Sequence, residues 1–313
     1  MLFAGGQGGL LSLFILYCGE VSLGYFMTAE LIIVQVLNGI QYGLLLFLIA
    51  SGLTLVLGVM GILNLAHGSM YMVGAYLMWY FVTVTGSFTV SAALSATIAL
   101  SLGILIERVL IQRFYNRNHL DQVLVTIGMI LVFNSLQSIL FGNDPYGVPV
   151  PDALDGGIPL TNNSTYAVYR IFVAVICVGI AGLLYFVIGR TRLGMMIRAG
   201  KSNREMVEAL GVNIKSLYTI VFAFGVMLAA IAGIIASPIS SIVPGMGESV
   251  LITCFVVVVI GGMGSIKGAF IAALLVGLIS TFFSILMPSM ANMIIYIFMI
   301  LVLLIKPQGL FAK

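Results

Sequence analysis

Residues 58–76 read GVMGILNLAHGSMYMVGAY. The stretch is set among long apolar runs, yet it holds Asn64, His67 and glycines at 58, 61, 68 and 74. In lipid every backbone amide and carbonyl needs a partner, so irregular chain at bilayer depth survives only where protein or a watery cavity surrounds it. Whether this segment lies in a bilayer therefore decides the fold. Composition answers: of 313 residues, 61% are apolar and 7% charged, and mean hydropathy is +1.21. A soluble domain carries about 25% charged residues. The chain reads as all-α, a polytopic transmembrane protein.

Apolar runs bounded by charge, Gly or Pro predict spans near 31–50, 51–64, 67–85, 90–107, 121–141, 168–188, 218–236, 248–263, 268–286 and 290–305. Two of them, 51–64 and 248–263, are short for a hydrocarbon core of roughly 30 Å, which takes about 20 helical residues. A further apolar run at 10–27 contains Glu20 and lacks the basic start of a signal peptide. Residues 1–27 read as an apolar extension or an optional extra span before a main domain at 28–313, for about 8–10 membrane segments in all.

No Lys or Arg precedes Arg108. Arg108, Arg113 and Arg117 share one loop, and Arg190, Arg192, Arg198, Lys201, Arg204 and Lys215 share another at 189–217. Lys306 and Lys313 close the chain. The positive-inside rule places these segments in the cytoplasm. The loop 142–169 carries Asp144, Asp152, Asp155, four prolines and no base, so it faces outside. Asn162-Asn163-Ser164-Thr165 matches a glycosylation sequon, which has no meaning in the bacterium expected as source. A net charge of +3 is too small to point to nucleic acid.

This orientation exposes a weak internal two-fold repeat. Spans 31–50 and 218–236 are both expected to run outward, each before a short span that closes on a glycine signature, GVMG at 58–61 and GGMG at 261–264. An outward span then opens with HGSM in one half and KGAF in the other. Paired short, Gly-interrupted spans in matching places of two halves point to a transport pathway.

Gly58 and Gly61 predict a break, and Asn64 and His67 beyond it serve either a cavity-lining gate near the cytoplasmic end or a hydrogen-bonded clamp between helices. On 31–50, Gln35, Asn38 and Tyr42 share one helical face, while Gly39 and Gly43 form GxxxG. Asn134, Gln137 and Ser138 make a similar uncharged patch on 121–141. These polar groups read as a solute pathway or as interhelical bonding, which is the commoner role for any one of them alone.

No Asp, Glu, Lys or Arg occupies the middle of a predicted span, although Glu248 and Lys267 lie at span ends. Ion-coupled carriers place ionisable groups near midplane, so this pattern argues against them. HExxH, GxSxG and GxxxxGK[ST] are absent, and Cys18, Cys177 and Cys254 stand singly in apolar runs. No enzyme activity, metal site or cofactor is expected of the chain itself.

In the loop 189–217, Ser202-Asn203-Arg204-Glu205 is a capping box and Gly211 a left-handed stop. They bound a short helix at 203–210, with Met206, Val207 and Leu210 on one face and Arg204, Glu205 and Glu208 on the other. Such a helix suits docking into a groove on a soluble partner, or lies flat on the membrane surface.

Three ordered blocks, ASGLTLVLGVMGILNLAHGSMYMVGAY at 50–76, REMVEALGVNIKSLYTIVFAFGVMLAAIAGII at 204–235 and VIGGMGSIKGAFIAALLVG at 259–277, resemble the LivH-type permease subunits of bacterial ABC importers for branched-chain amino acids. The resemblance runs from about Met27 to Lys313. It implies a multi-pass subunit of the inner membrane, paired with a LivM-type second permease on two ATP-binding subunits and fed by a periplasmic binding protein. ATP and Mg would bind on the partner subunits, and the helix ending at Gly211 would be the coupling element. Sister systems carry urea, short amides or other small solutes. From another class, a passive channel for small neutral solutes also fits the uncharged lining and the repeat.

Overall fold

The computed structural model describes residues 29–161, 164–202 and 204–311. The apolar run at 10–27, Asn162 and Asn163 of the sequon, Asn203 of the capping box and Lys313 lie outside them. Eleven α-helices carry the described chain: α1 (Ala29–Met60), α2 (His67–Thr85), α3 (Phe88–Val109), α4 (His119–Phe141), α5 (Val168–Arg190), α6 (Arg192–Ser202), α7 (Arg204–Ala209), α8 (Ile214–Ala236), α9 (Met246–Gly261), α10 (Ile266–Leu286) and α11 (Ala291–Ile305). A hairpin of β1 (Gly157–Thr161) and β2 (Ser164–Ala167) is the one described sheet. Seven helices are long and apolar enough to cross a membrane; α9 is shorter, and α2 is more polar.

The first correction is at 31–64. The two spans expected there are one helix of 32 residues, about 48 Å long at 1.5 Å per residue, against a hydrocarbon core of roughly 30 Å. Ala50-Ser51-Gly52 does not break it, because the Ser51 hydroxyl donates to the Leu48 carbonyl at 2.8 Å and Gly52 is a contact point. A Cβ on Gly52 would stand 2.6 Å from the Gly225 carbonyl oxygen and 2.9 Å from the His67 ring. Gly58 likewise stays helical and meets Gly264, whose Cα would lie 2.9 Å from an added Cβ. The break falls at Gly61, where φ is +68°.

Fusing the two spans removes a crossing and reverses the direction of 31–50. Gly39 packs on Gly277 and Leu278, Gly43 on Ala273 and Leu274, and Gly58 on Gly264, so α1 lies antiparallel to α10. It therefore runs inward, toward the basic loops. Helix α8 runs outward against α3: the buried Glu107 accepts hydrogen bonds from Thr219 at 2.5 Å and from Tyr115, while Gly103 meets Ala223 and Val226. At the outer end Tyr146 pairs with Ile242, and Tyr76 and Trp79 of α2 stack on Phe141 and Tyr146.

The expected two-fold repeat becomes two three-helix units, α1–α2–α3 and α9–α10–α11. Each runs in, out, in, and each turns at glycines with positive φ: Gly61 in one, Gly262 (+93°) and Gly264 (+77°) in the other. The units are interleaved. Helix α1 lies along α10 and barely touches α2, while α9 packs on α2, where Gly68 and Gly247 meet backbone to backbone. Helices α1 and α8 are mostly enclosed, which makes them the core of the bundle.

Candidate functional site: an outward-facing polar cavity

A cavity of about 460 Å³ opens at the outer end of the bundle, among α1, the start of α5, the end of α8 and the end of α10. Pockets for small molecules span about 300–1,000 Å³. One turn of α1 separates Asn38 from Tyr42, and Gln35 and Asn38 lie one turn apart, so a single helix face presents all three to it. Gln41 joins them, and Tyr71, Ser240, Ser280, Thr281 and Ser284 add hydroxyls. Deeper in, Leu45, Leu46 and Ile49 of α1 and Val250 of α9 form an apolar floor. Gln35 and Gln41 are 9% and 5% exposed.

Among the described residues lining the cavity Arg170, near the start of α5, is the one formal charge, and no Asp, Glu or Lys joins it. Its guanidinium donates to Asn38 Oδ1 at 2.6 Å. Burial raises the Tyr166 phenol above its usual range, and the Arg170 charge pulls the other way, so the cation is also felt by the outer hairpin. Thr281 donates to the Gly277 carbonyl at 2.7 Å and Ser284 to the Ser280 carbonyl at 2.7 Å, which leaves both hydroxyl oxygens able to accept.

Gln35, Asn38 and Tyr42, expected on a solute pathway, thus share one cavity. Asn64, His67 and Asn134, expected with them, do not line it. Residues 61–66 fold back along α1, so His67 sits beside Ile49, eleven residues or about 16 Å above the end of α1, rather than near the cytoplasmic end. Its Nε2 lies 3.0 Å from the Ile49 carbonyl, and the side chain is wholly enclosed. Asn64 Oδ1 accepts from the Ala66 amide at 3.1 Å, and its backbone carbonyl accepts from the His67 amide. The His67 contact ties the start of α2 to the middle of α1, while the Asn64 bonds are local to the turn.

Asn134 instead donates to Glu248 Oε1 at 2.6 Å. It stands seven residues, about 10 Å, inside the outer end of α4, and Glu248 is exposed on this single chain. Because α9 starts against Gly68 at depth, Glu248 is a carboxylate below the outer end of the bundle, not one at a span's mouth as its position in the sequence implied.

On the inner side, α7 spans Arg204–Ala209, within the expected 203–210. Gly211 has φ +84°; its amide bonds the Glu208 carbonyl at 3.0 Å and Val212 bonds Val207 at 3.3 Å, the paired bonds of a left-handed helix stop. The expected apolar face is divided. Val207 is buried in the core, whereas Met206 and Leu210 are 60% and 76% exposed beside Glu205 and Glu208. Val207 anchors the helix and is unavailable to a partner.

Arg170 escaped the sequence reading, as did Tyr71 and the α10 hydroxyls. The signal for Arg170 was present: a lone base at the acidic end of an apolar run contradicts the trend of every other basic cluster. Nothing local marks Tyr71, Ser280, Thr281 or Ser284, which reach the cavity only through the packing of α2 on α8 and α9 and of α10 on α1.

A multi-pass helical bundle with a solute-sized polar cavity at the end opposite its basic loops defines a membrane permease. The chain belongs to the family described as branched-chain amino acid transport system permease component, which matches residues 35–303. It is 30% identical over 296 residues to the high-affinity branched-chain amino acid transport system permease protein BraD of Pseudomonas aeruginosa, covering 89% of this chain and 95% of the relative. It is 28% identical over 295 residues to the permease protein LivH of Escherichia coli K12, with the same coverage. The fructose import permease protein FruF of Bifidobacterium longum is 32% identical over 232 residues, 71% of this chain and 61% of that relative. No solved structure matches.

Proposed function

We propose that this chain is the permease subunit of an ATP-driven importer for branched-chain or other small aliphatic amino acids in the bacterial inner membrane. One observation carries the reading: a cavity with a polar, singly charged mouth and an apolar floor, in a family whose relatives are named for branched-chain amino acid transport. An aliphatic amino acid has that same division of charge and hydrocarbon.

The energy comes from elsewhere, because the chain has no GxxxxGK[ST] loop. Two ATP-binding subunits bind ATP and Mg, and α7 with its exposed Met206 and Leu210 docks on them. A LivM-type second permease covers the face around Glu248 and Asn134, since an ionisable group at membrane depth faces a partner or water rather than lipid. A periplasmic binding protein delivers the substrate to the cavity.

The test is uptake of radiolabelled leucine by proteoliposomes holding the full complex and the binding protein, with fructose and urea as parallel substrates. ATP-dependent accumulation of leucine is the expected result. Accumulation of fructose or urea in its place, or equal flux without ATP, would overturn the reading.

A further inference from the structure

We propose that Arg170 is the specificity residue of the outer cavity and holds the substrate's carboxylate, so that the permease itself, and not only its binding protein, distinguishes a free carboxylate from its amide. The proposal rests on the importer reading and deepens it.

Among the described residues lining the cavity Arg170 is the one formally charged group, and none of them supplies it with a counter-ion. Among the described residues no carboxylate forms an ion pair with it. Of its five guanidinium donors, one is directed to Asn38 Oδ1, and that bond turns the planar group between α5 and α1. A guanidinium so fixed offers the paired N–H groups that match a carboxylate.

Gln35 and Gln41 are a second, independent pointer to a ligand. Both side chains are more than nine-tenths buried and line the cavity, and neither has a hydrogen-bond partner among the described residues. Buried amides are ordinarily paired, so these two are open to a polar guest. Their carbonyls, with the free lone pairs of Thr281 and Ser284, suit the ammonium end of a zwitterion. Leu45, Leu46 and Ile49 lie one to two turns deeper on α1 and suit an alkyl side chain.

The alternative role for Arg170 is a clamp between α1 and α5 through Asn38. Binding of leucine and leucinamide to the full permease–ATPase complex in nanodiscs, without the binding protein, separates the two. Wild type is expected to prefer leucine. Arg170→Gln should weaken leucine binding about ten- to a hundredfold, the range for losing a charged hydrogen bond, while leucinamide binding stays within about twofold. Arg170→Lys should restore part of the preference. Equal loss of both ligands with a lowered melting temperature, or an unchanged preference, would overturn the assignment. Wild-type leucine uptake, measured alongside, keeps the two claims apart. If the wild type imports no leucine, the importer reading falls and this proposal with it; if it imports leucine and Arg170→Gln keeps the acid preference, only the role of Arg170 falls.

Discussion

His67 fills the space between α1 and α2, with its ring against Gly52 and one nitrogen on the Ile49 carbonyl. Replacing it by Ala leaves a void that the flanking backbones close only in part, which costs about 2 to 4 kcal/mol. His67→Ala is therefore expected to lower the unfolding midpoint of the purified permease, with transport falling only as far as folded protein falls; normal stability with lost transport would mark a gate instead. Gly58→Leu makes a complementary test, because its Cβ starts 2.9 Å from the Gly264 backbone, where no side chain exists to give way. Overpacking of that kind costs about 1 to 3 kcal/mol, read as a lower unfolding midpoint. At this scale the sequence shows which residues are unusual but not what they touch. Gly52, Gly58 and Gly61 look alike in the sequence, yet only Gly61 has positive φ, because the other two answer to Gly225 and Gly264, far along the chain. Asn38 was legible as polar within an apolar helix, whereas its partner Arg170 lies 132 positions away.

Among the elements, α7 gives the sharpest contrast between exposed and buried apolar groups. Leu210→Asp removes an exposed side chain whose burial against a partner contributes about 1.5 to 3 kcal/mol, or roughly ten- to a hundredfold in affinity. Its expected effect is loss of the ATPase from the purified complex, with the permease itself still folded; full recovery of the ATPase with substrate-stimulated hydrolysis would reduce α7 to a membrane-surface helix. Val207→Asp should act otherwise, since it places a charge in the core and depletes the permease from the membrane. The ends of α7 were legible because a glycine stop is local chemistry. The division of its apolar face was not, because it depends on which residues α8 and its neighbours cover. Helix α1 shows the same limit: apolar periodicity cannot tell one long enclosed helix from two spans when both faces are buried.

For the whole molecule, transport is expected to depend on company. The chain reconstituted alone in liposomes should neither accumulate leucine nor respond to ATP, and adding the ATP-binding and second permease subunits should establish both; channel-like flux from the chain alone would overturn the dependence. The class of fold was legible from composition, and the glycine signatures marked both turns of the repeat correctly. The direction of 31–50 was not, since one missed fusion reverses a helix. The interleaving of the units also governs how the protein is made. Of the described helices α1 leaves the ribosome first, but α10, the helix it lies along, begins at Ile266, about 200 residues later. At about 5–20 residues per second the delay is on the order of 10 to 40 s. Throughout that interval Gly39 and Gly43 lack the helix they pack against. Shelter for α1 during that delay, by the insertion machinery or a chaperone in the bilayer, is the expected consequence.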